Sequence, residues 1–362
     1  MNKLLFITNG HGEDLVAAEI IKRLPATIHV GIFPLVGEGS AFENLHRVEI
    51  LGGRKSLPGG GFSLRNLWYL IKDLSAGLIF NVINNMSDLK KLRGMIDLTV
   101  AVGDVVPVIG ALTVKAPFIF VGVNKSDYYK WFGFRYTPWE KWLLKRYAKK
   151  IYVRDQITME NLNKGGIPAD YVGNPLMDCI GVASRPLPTV SQEASRTITI
   201  GFLPGTREDA KLNVDDFEKV VEELTTLKDP DTNFNFLIAT VLRDIPEYFE
   251  RKVFADVLKE SDLIIGLSGT GNEQAAGSGK PVVSFYGRGS QYNKKFAEAQ
   301  KQLLGNSLAL VRKADPLYVA VEAWCLLHNP QVLKQMGETG KQRMGSGGAA
   351  DRITAFILHQ AL

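Results

Sequence analysis

The sequence predicts two α/β domains, each built on a doubly wound parallel sheet with helices on both faces. In both halves of the chain, short apolar runs of strand length alternate with helix-compatible segments, and glycine-containing turns follow several of the apolar runs. A polar, proline-containing stretch at 182–197 separates the halves and is typical of an interdomain linker. A chain of 362 residues is also long for a single hydrophobic core. We expect the two domains to face each other across a cleft.

The composition excludes several classes of protein. The chain is 45% hydrophobic and 22% charged, which is ordinary for a soluble globular protein. The two cysteines, Cys179 and Cys325, cannot supply a disulfide framework or a cysteine-rich metal site. No apolar run approaches the ~18 residues of a membrane span, and the apolar start of the chain meets a polar glycine loop, which predicts a strand rather than a secretory signal. We expect a cytoplasmic protein.

The elements of the first half follow from apolar periodicity. The runs of strand length are at 3–8, 30–35, 96–102, 118–123, 151–153 and 171–172. The helical patterns are at 15–24, at 62–93 as two helices, and at 105–112, 139–150 and 158–164. Between them, the stretch 52–61 is too rich in glycine for regular structure and is predicted to be a loop.

The second half repeats the alternation. Its predicted strands are at 198–203, 234–239, 263–267 and 282–286. Its predicted helices are at 217–227, 254–260 and 272–278, and a last helix at 349–362 closes the chain.

One turn of the second half has the composition of an anion site. Ser268, Gly269, Thr270 and Gly271 follow a buried strand and precede a helix, so unpaired amides and the helix dipole would face a ligand, and glycines would let a diphosphate come close. Glu273, predicted in the first helical turn, could accept hydrogen bonds from a ribose diol. An ordinary βα turn with an acidic first turn is the alternative.

Two further segments could join that turn. Gln291, Tyr292 and Asn293 follow the next strand and could return to the same cleft. A second small-residue turn ends in Arg207, whose guanidinium could pair with a phosphate or with a uracil carbonyl.

The first half offers two candidates for acid–base chemistry. His11 lies in the turn Asn-Gly-His-Gly-Glu-Asp at 9–14, where a helix dipole would favour neutral imidazole that could act as a base or bind a sugar hydroxyl. Its alternative role is a turn residue that bonds the backbone. Asp104 ends a buried strand and could take the proton from an attacking hydroxyl; alternatively it caps the following helix.

The first half is basic, and its charge is concentrated in one aromatic stretch. Residues 1–175 carry 22 Lys and Arg against 15 Asp and Glu, a net +7, and residues 125–154 carry nine basic against two acidic side chains among many aromatic ones. No nucleic-acid motif accompanies them. Aromatic rings at headgroup depth and basic residues on anionic lipid fit a membrane-surface patch better, although much of the stretch could instead be core under a solvated basic helix.

Taken together, these motifs resemble lipid-A-disaccharide synthase and its relatives, inverting sugar transferases of the two-domain GT-B fold. The resemblance runs nearly from end to end. It is carried by the loop at 9–14, the Gly103-Asp104 strand end, and the segments YVGNPLMD at 171–178, LPGTRE at 203–208 and SDLIIGLSGTGNEQAAGSGKPVVSFY at 261–286. The stretch 286–293 is similar to the donor-sugar loop of the glucosaminyltransferase of peptidoglycan synthesis.

The resemblance implies two Rossmann-like domains, at 1–180 and 198–345, joined by a linker at 181–197, with a helix at 346–362 that returns to the first domain. It also implies transfer, with inversion, from a UDP-sugar, such as UDP-N-acetylglucosamine or a derivative, to a lipid-linked or glycolipid acceptor. No metal and no further cofactor are expected. Asp104 would be the base, with His11 as the runner-up. The donor would be bound by residues of the second half: Arg207, Ser268, Gly269, Thr270, Gly271, Glu273, Gln274, Gln291 and Asn293.

Three features depart from the synthases and keep other functions open. The loop at 9–14 lacks their serine, the synthases have an acidic residue where this chain has Gln274, and they lack the basic, aromatic stretch. A related subfamily is therefore indicated, working on the inner face of the membrane as a peripheral protein. The alternatives are an enzyme similar to UDP-N-acetylglucosamine 2-epimerase and a protein that binds UDP-sugar or lipid without catalysis.

Overall fold

A computed structural model describes residues 3–36, 39–45, 48–51, 78–131, 133–180, 196–206, 208–289 and 291–361. The predicted glycine loop at 52–61, the first of the two helices predicted within 62–93 and most of the 182–197 stretch lie outside the described residues. The chain divides into two compact units, one comprising Met1–Cys179 with Gly347–Leu362 and the other Ile180–Ser346.

The first unit contains a six-stranded parallel sheet. Its strands are β1 (Lys3–Thr8), β2 (His29–Pro34), β3 (Val48–Ile50), β4 (Leu98–Gly103), β5 (Phe118–Gly122) and β6 (Ala148–Tyr152). They lie in the order β3-β2-β1-β4-β5-β6. Successive side chains of β1 enter two separate cores, Leu4 and Phe6 on one face of the sheet and Leu5 and Ile7 on the other. The apolar run of β1 thus reflects burial on both faces.

Helices cover both faces of this sheet. They are α1 (His11–Ile21), α2 (Leu78–Lys91), α3 (Val105–Val114), α4 (Pro138–Tyr147), α5 (Gln156–Lys164) and α6 (Pro175–Asp178). Several start at a side chain that accepts a hydrogen bond from the first turn, among them α3 at Asp104, α5 at Asp155 and α6 at Asn174. These caps satisfy backbone amides that have no partner within the helix.

The second unit repeats the arrangement. Its strands are β7 (Arg196–Leu203), β8 (Thr232–Ile238), β9 (Phe249–Arg251), β10 (Leu263–Gly266), β11 (Val282–Phe285) and β12 (Leu308–Val311). They form a parallel sheet in the order β12-β11-β10-β7-β8-β9. Phe202 lies at the centre of the core, with its ring centroid 5.1 Å from that of Phe217 and 5.0 Å from that of Phe249.

The helices of the second unit connect these strands. They are α7 (Ala210–Leu227), α8 (Phe254–Glu260), α9 (Gly269–Gly277), α10 (Lys294–Leu304), α11 (Pro316–Leu327) and α12 (Pro330–Met344). In each unit the order of the strands reverses between the first and the fourth strand, β1 and β4 in the first unit and β7 and β10 in the second. Crevices for ligands in open α/β sheets form at such reversals, outside the carboxyl ends of the strands.

The last helix, α13 (Ala349–Ala361), packs in the first unit, on the core that also holds α1. Its Ile353 and Ile357 are fully buried. The Asp178 carboxylate accepts hydrogen bonds from the amides of Gly348 and, at 2.7 Å, Ala350. Asp178 ends the segment YVGNPLMD, so this motif residue caps a helix that begins about 170 residues later.

Several boundaries differ from the sequence-based expectations. The helix expected at 139–150 ends at Tyr147, because the chain turns extended at Ala148 and pairs as β6 with β5. The strand expected at 171–172 does not form; an isolated bridge joins Tyr152 to Asp170 instead. Three strands were not predicted: β3 and β9 have three residues each, too few to stand out as apolar runs, and β12 (Leu308–Val311) is an apolar run that was overlooked.

Candidate functional site

The predicted site residues of the second unit follow three neighbouring strands. The turn at 204–206 follows β7, the turn at 267–271 follows β10, and the loop at 286–293 follows β11. The amide of Leu267 donates to Leu203 O at 2.9 Å, which joins the first two turns at the strand-order reversal. The sequence predicted this convergence, because parallel strands end at one edge of a sheet.

The turn after β10 begins a helix earlier than expected. Ser268 is the N-cap of α9, and its Oγ accepts a hydrogen bond from the amide of Gly271 at 3.3 Å. Ser268, Gly269 and Thr270 are partly exposed, as a diphosphate site requires. Because α9 starts at Gly269 and not near 272, the expectation that Glu273 lies in the first turn is wrong. Glu273 occupies the second turn and is partly exposed.

Two of the predicted donor residues are not seen on the exposed side of the turns, because Gln274 is buried and Arg207 lies outside the described residues. Gln274 is 5% exposed, so it belongs to the packed side of α9. Arg207 lies outside the described residues, although the turn before it is described. In that turn Gly205 has a φ of +82°, a conformation that favours glycine.

The loop after β11 is tied to the start of α7. The amide of Gln291 donates to Asp209 Oδ2 at 2.7 Å, and Arg288 Nε lies 2.7 Å from Asp216 Oδ1. The Gln291 side chain is partly exposed beside the turns. Asn293, also predicted to bind the donor, uses its Oδ1 to cap α10, accepting from Phe296 N at 3.1 Å.

A group of buried polar side chains beneath these turns was not predicted. Asn272, Ser284, Tyr292 and Gln300 are each at most 2% exposed and are joined by hydrogen bonds of 2.6–3.2 Å to one another and to main-chain carbonyls of the turn. Tyr292 stood out in the sequence only as a neighbour of Gln291. Its partners are distant in sequence, and no local pattern marks such contacts.

In the first unit, Asp104 occupies the carboxyl end of β4, at the reversal beside β1. Its Oδ1 accepts hydrogen bonds from Val106 N at 2.9 Å and from Asn9 Nδ2 at 3.4 Å. The capping role that the sequence left open is therefore present. The carboxylate is partly exposed, and a cap bond to one oxygen leaves it able to accept a proton. His11 begins α1 at the same edge, but its side chain lies outside the described residues.

Two carboxyl groups in the first turn of α1 were not singled out from the sequence. Glu13 accepts a hydrogen bond from Asn124 Nδ2, and its methylenes pack on Gly103, where a Cβ would lie 2.8 Å from Glu13 Cγ. Asp14 is 1% exposed; burial raises the pKa of Asp14 to about 7, the Thr8 side chain opposes this, and the charge of Glu13 adds to it. In the sequence, the adjacent acidic residues at the end of the loop at 9–14 could have indicated these two carboxyl groups.

The basic, aromatic stretch divides into a buried loop and an exposed helix. In the loop, Lys125 is buried in an ion pair with Glu140, with Nζ 2.7 Å from Oε1, and Tyr129 and Tyr136 are 6% exposed. On α4, by contrast, Trp139 and Trp142 are 50% and 59% exposed. The alternative that part of the stretch is core therefore holds for Lys125, Tyr129 and Tyr136, and the contact with a membrane stays a prediction.

The described residues include neither a helix suited to cross a membrane nor a group of side chains suited to hold a metal ion. No helix among them is long and apolar enough to cross a membrane. No group of three or more His, Cys, Asp or Glu side chains among them is placed to hold a metal ion.

Comparisons with known proteins agree on the fold. No family model matches the chain. A lipid-A-disaccharide synthase of Trichlorobacter lovleyi is 24% identical over 225 residues, which are 54% of this chain and 58% of that protein, so the chain spans little more than half of this relative. The UDP-GlcNAc 2-epimerase of Neisseria meningitidis, solved with UDP-GlcNAc, superposes with a TM-score of 0.59 at 17% identity over 99% of this chain and 100% of that one.

A glycosyltransferase has a similar structure over its whole length. CalG4, the calicheamicin glycosyltransferase, gives a TM-score of 0.62 at 15% identity and covers 99% of this chain and 98% of its own. At these identities the likeness is one of fold. The prediction of two Rossmann-like domains of the GT-B type is confirmed.

The buried carboxyl of Asp14 predicts a dependence of stability on pH. Because burial raises its pKa from the usual 3.8 to about 7, the folded protein holds a proton that the unfolded chain releases in this range. The stabilisation is present below pH 4 and is lost as the pH rises towards 7. Asp14→Asn, which stays neutral, should lack this loss. Between pH 5 and pH 8 we expect the parent to lose about 3 kcal/mol of unfolding free energy relative to the variant.

Urea unfolding at several pH values, followed on the first unit by hydrogen exchange of β1 and β4, measures this difference. Asp88→Asn, a half-exposed carboxylate on α2, is the control for loss of an acidic side chain. Parallel pH profiles of parent and Asp14→Asn would show that Asp14 is charged throughout.

Proposed function

We propose that the chain is a UDP-sugar-dependent glycosyltransferase that transfers a sugar, N-acetylglucosamine or a derivative, to a lipid-linked or glycolipid acceptor with inversion. One observation carries the proposal: three turns of the second unit converge at the reversal between β7 and β10, and the central one is a partly exposed helix N-terminus of small residues. Such a turn suits a diphosphate. The resemblance of the segments at 203–208 and 261–286 to lipid-A-disaccharide synthase supports the choice of chemistry.

The donor would lie along these turns. The amides and hydroxyl groups of Ser268, Gly269 and Thr270 would bind the diphosphate, with the dipole of α9 stabilising its charge as the sugar leaves. Glu273 would accept hydrogen bonds from the ribose, and Arg207 would bind the nucleotide. Gln291 would bind the sugar, since Asp209 holds its backbone while its side chain stays partly exposed.

The acceptor chemistry would belong to the first unit. Asp104 would take the proton from an acceptor hydroxyl as its oxygen bonds to the anomeric carbon, and the bond from that carbon to the diphosphate would break on the opposite side. UDP would leave with the bonding electron pair, and attack from the side opposite to UDP would invert the configuration. The proposal involves no metal, because the helix dipole and basic side chains would stabilise the diphosphate.

A sugar-nucleotide 2-epimerase is the second candidate. The epimerase of Neisseria meningitidis has a similar fold over the full length of both chains. So has a protein of Listeria monocytogenes described as a putative UDP-N-acetylglucosamine 2-epimerase. It gives a TM-score of 0.61 at 16% identity and covers 98% of this chain and 95% of its own. The Gly-Lys-Pro sequence at 279–281 resembles one that follows the donor helix of such epimerases, but it adds little, because Lys280 is buried and donates to Ser261 O at 2.8 Å. Epimerised UDP-sugar without transfer would select this reaction; binding without turnover would select a non-catalytic protein.

The exposed surface of α4 is proposed as the membrane contact. Trp139, Trp142 and Tyr147 are exposed, as are Lys145 on the same helix and Lys149 at the start of β6. Aromatic rings and basic side chains together fit the headgroup region of an anionic leaflet. An acceptor with acyl chains stays in the bilayer, so its enzyme must reach the surface.

Replacing Glu273 with alanine tests the donor site. Loss of a charge-assisted hydrogen bond should weaken UDP binding by roughly 10- to 100-fold. Titration calorimetry with UDP measures this. Glu322→Ala, which removes a partly exposed carboxylate from α11, is the matched control and should bind UDP as the parent does. Equal affinity of the Glu273 variant and the parent would place the ribose elsewhere.

Replacing Asp104 with asparagine separates its two roles. Asparagine caps helices about as well as aspartate, so α3 should remain intact, but it cannot accept the proton. We expect UDP affinity to be unchanged and transfer to be slower by about 100-fold or more. Asp315→Asn is the control, since Asp315 Oδ1 accepts from Leu317 N at 3.1 Å in the same cap geometry on α11. Near-parental turnover would move the base to His11 or another group.

Vesicle sedimentation tests the membrane contact. Each basic side chain near an anionic surface contributes on the order of 1 kcal/mol, over a Debye length of ~8–10 Å. Lys145→Gln with Lys149→Gln should therefore weaken binding to anionic vesicles severalfold and leave UDP affinity unchanged. Lys211→Gln with Lys219→Gln, exposed on α7, is the charge-matched control. If the parent protein does not bind anionic vesicles at low salt, a soluble acceptor is favoured.

A further inference from the structure

The buried polar side chains beneath the turn after β10 form a single connected group. This polar cluster consists of Asn272 on α9, Ser284 on β11, Tyr292 in the loop after β11 and Gln300 on α10. All four are fully or nearly fully buried. Buried polar groups are unfavourable unless paired, and side chains that hydrogen-bond to one another in a buried group tend to fix a single local arrangement.

The polar cluster holds the turn at both ends. Before the turn, Gly266 O accepts hydrogen bonds from Ser284 Oγ at 2.6 Å and from Asn272 Nδ2 at 3.2 Å. Inside it, Gly269 O accepts from Gln300 Nε2 at 2.7 Å. A side chain at Gly266 would overlap the Asn272 amide. The backbone from Gly266 to Gly269 is thus fixed by groups outside the turn.

The same cluster connects the turn to the loop that carries Gln291. Tyr292 Oη donates to Gln300 Oε1 at 2.9 Å and lies 2.8 Å from Ser284 Oγ. The Tyr292 main chain is fixed as well, because its carbonyl accepts from Gly287 N at 3.0 Å. Any movement of the loop therefore disturbs the groups that hold Gly266 and Gly269.

We propose that the polar cluster positions the turn at 268–271 for the diphosphate and couples it to the loop that carries Gln291. Its members are positioning residues, because each is buried beneath the turn and acts on a ligand through the backbone. The physical basis is preorganisation: amides already fixed in the binding geometry lose less conformational freedom when a ligand arrives. This inference rests on the function proposed above, in which the turn binds the diphosphate of a UDP-sugar.

Two variants remove one oxygen each from the cluster. Ser284→Ala removes the hydroxyl that donates to Gly266 O. Tyr292→Phe removes the phenol hydroxyl and keeps the ring that packs on Phe296. Both should weaken UDP binding by about 5- to 20-fold. Uridine, which has no phosphate, should bind each variant as it binds the parent. A reduced UDP-to-uridine affinity ratio distinguishes positioning of the turn from a general loosening of the fold.

Ser261→Ala is the matched control. Ser261 is a buried serine just before β10, at the opposite end of that strand, and its Oγ donates to Val257 O at 2.7 Å. It should leave the affinities for UDP and uridine unchanged. The proposal is overturned if the cluster variants bind UDP as Ser261→Ala does, or if they lose UDP and uridine affinity equally. A parent that binds no UDP would instead overturn the proposed function, and this inference with it.

Discussion

The reversal of strand order in each sheet is the constraint on which the candidate site depends. A parallel sheet directs the carboxyl ends of all its strands to one edge, and crossovers that leave in opposite directions open a crevice where the order reverses. In the first unit this point lies between β1 and β4 and gathers Asn9, Glu13 and Asp104. In the second it lies between β7 and β10, at the turns expected to bind the donor.

The residues at these points also maintain the local fold. The sequence indicated binding or catalytic roles for Ser268, Asp104 and Asn293, and each of them caps a helix. A cap accepts a hydrogen bond from the first turn and thereby aligns the neighbouring amides, so the same side chain defines the edge of an anion site. Capping and ligand binding are compatible for a carboxylate or hydroxyl oxygen, which has more than one lone pair. The same holds for Asn293, whose amide oxygen also has two lone pairs and whose NH2 group is a donor.

The sequence predicted the strands well because those strands are buried on both faces and appear as unbroken apolar runs. It missed the start of α9 because glycine-rich segments have low intrinsic helix propensity, and the tertiary bond from Gln300 to Gly269 O overrides this. The polar cluster was also beyond prediction: Gln300 lies 31 residues from Gly269 and 28 from Asn272, and no period connects them. The burial of side chains within 125–154 could not be predicted, because composition does not distinguish buried Lys125 from exposed Lys145.

The chemistry that separates the two candidate reactions belongs to the first unit. Transfer and epimerisation both begin with a bound UDP-sugar, so under the proposal both would use the turns of the second unit, and the polar cluster would serve either reaction. Transfer alone requires a second hydroxyl and a group that accepts its proton. The first turn of α1 carries Glu13, which packs on Gly103 and accepts a hydrogen bond from Asn124 Nδ2, and Asp14, whose pKa burial raises to about 7. Glu13 and Asp14 are buried, whereas Asp104 is partly exposed, so under the proposed transfer Asp104 is the carboxylate that would meet an acceptor hydroxyl.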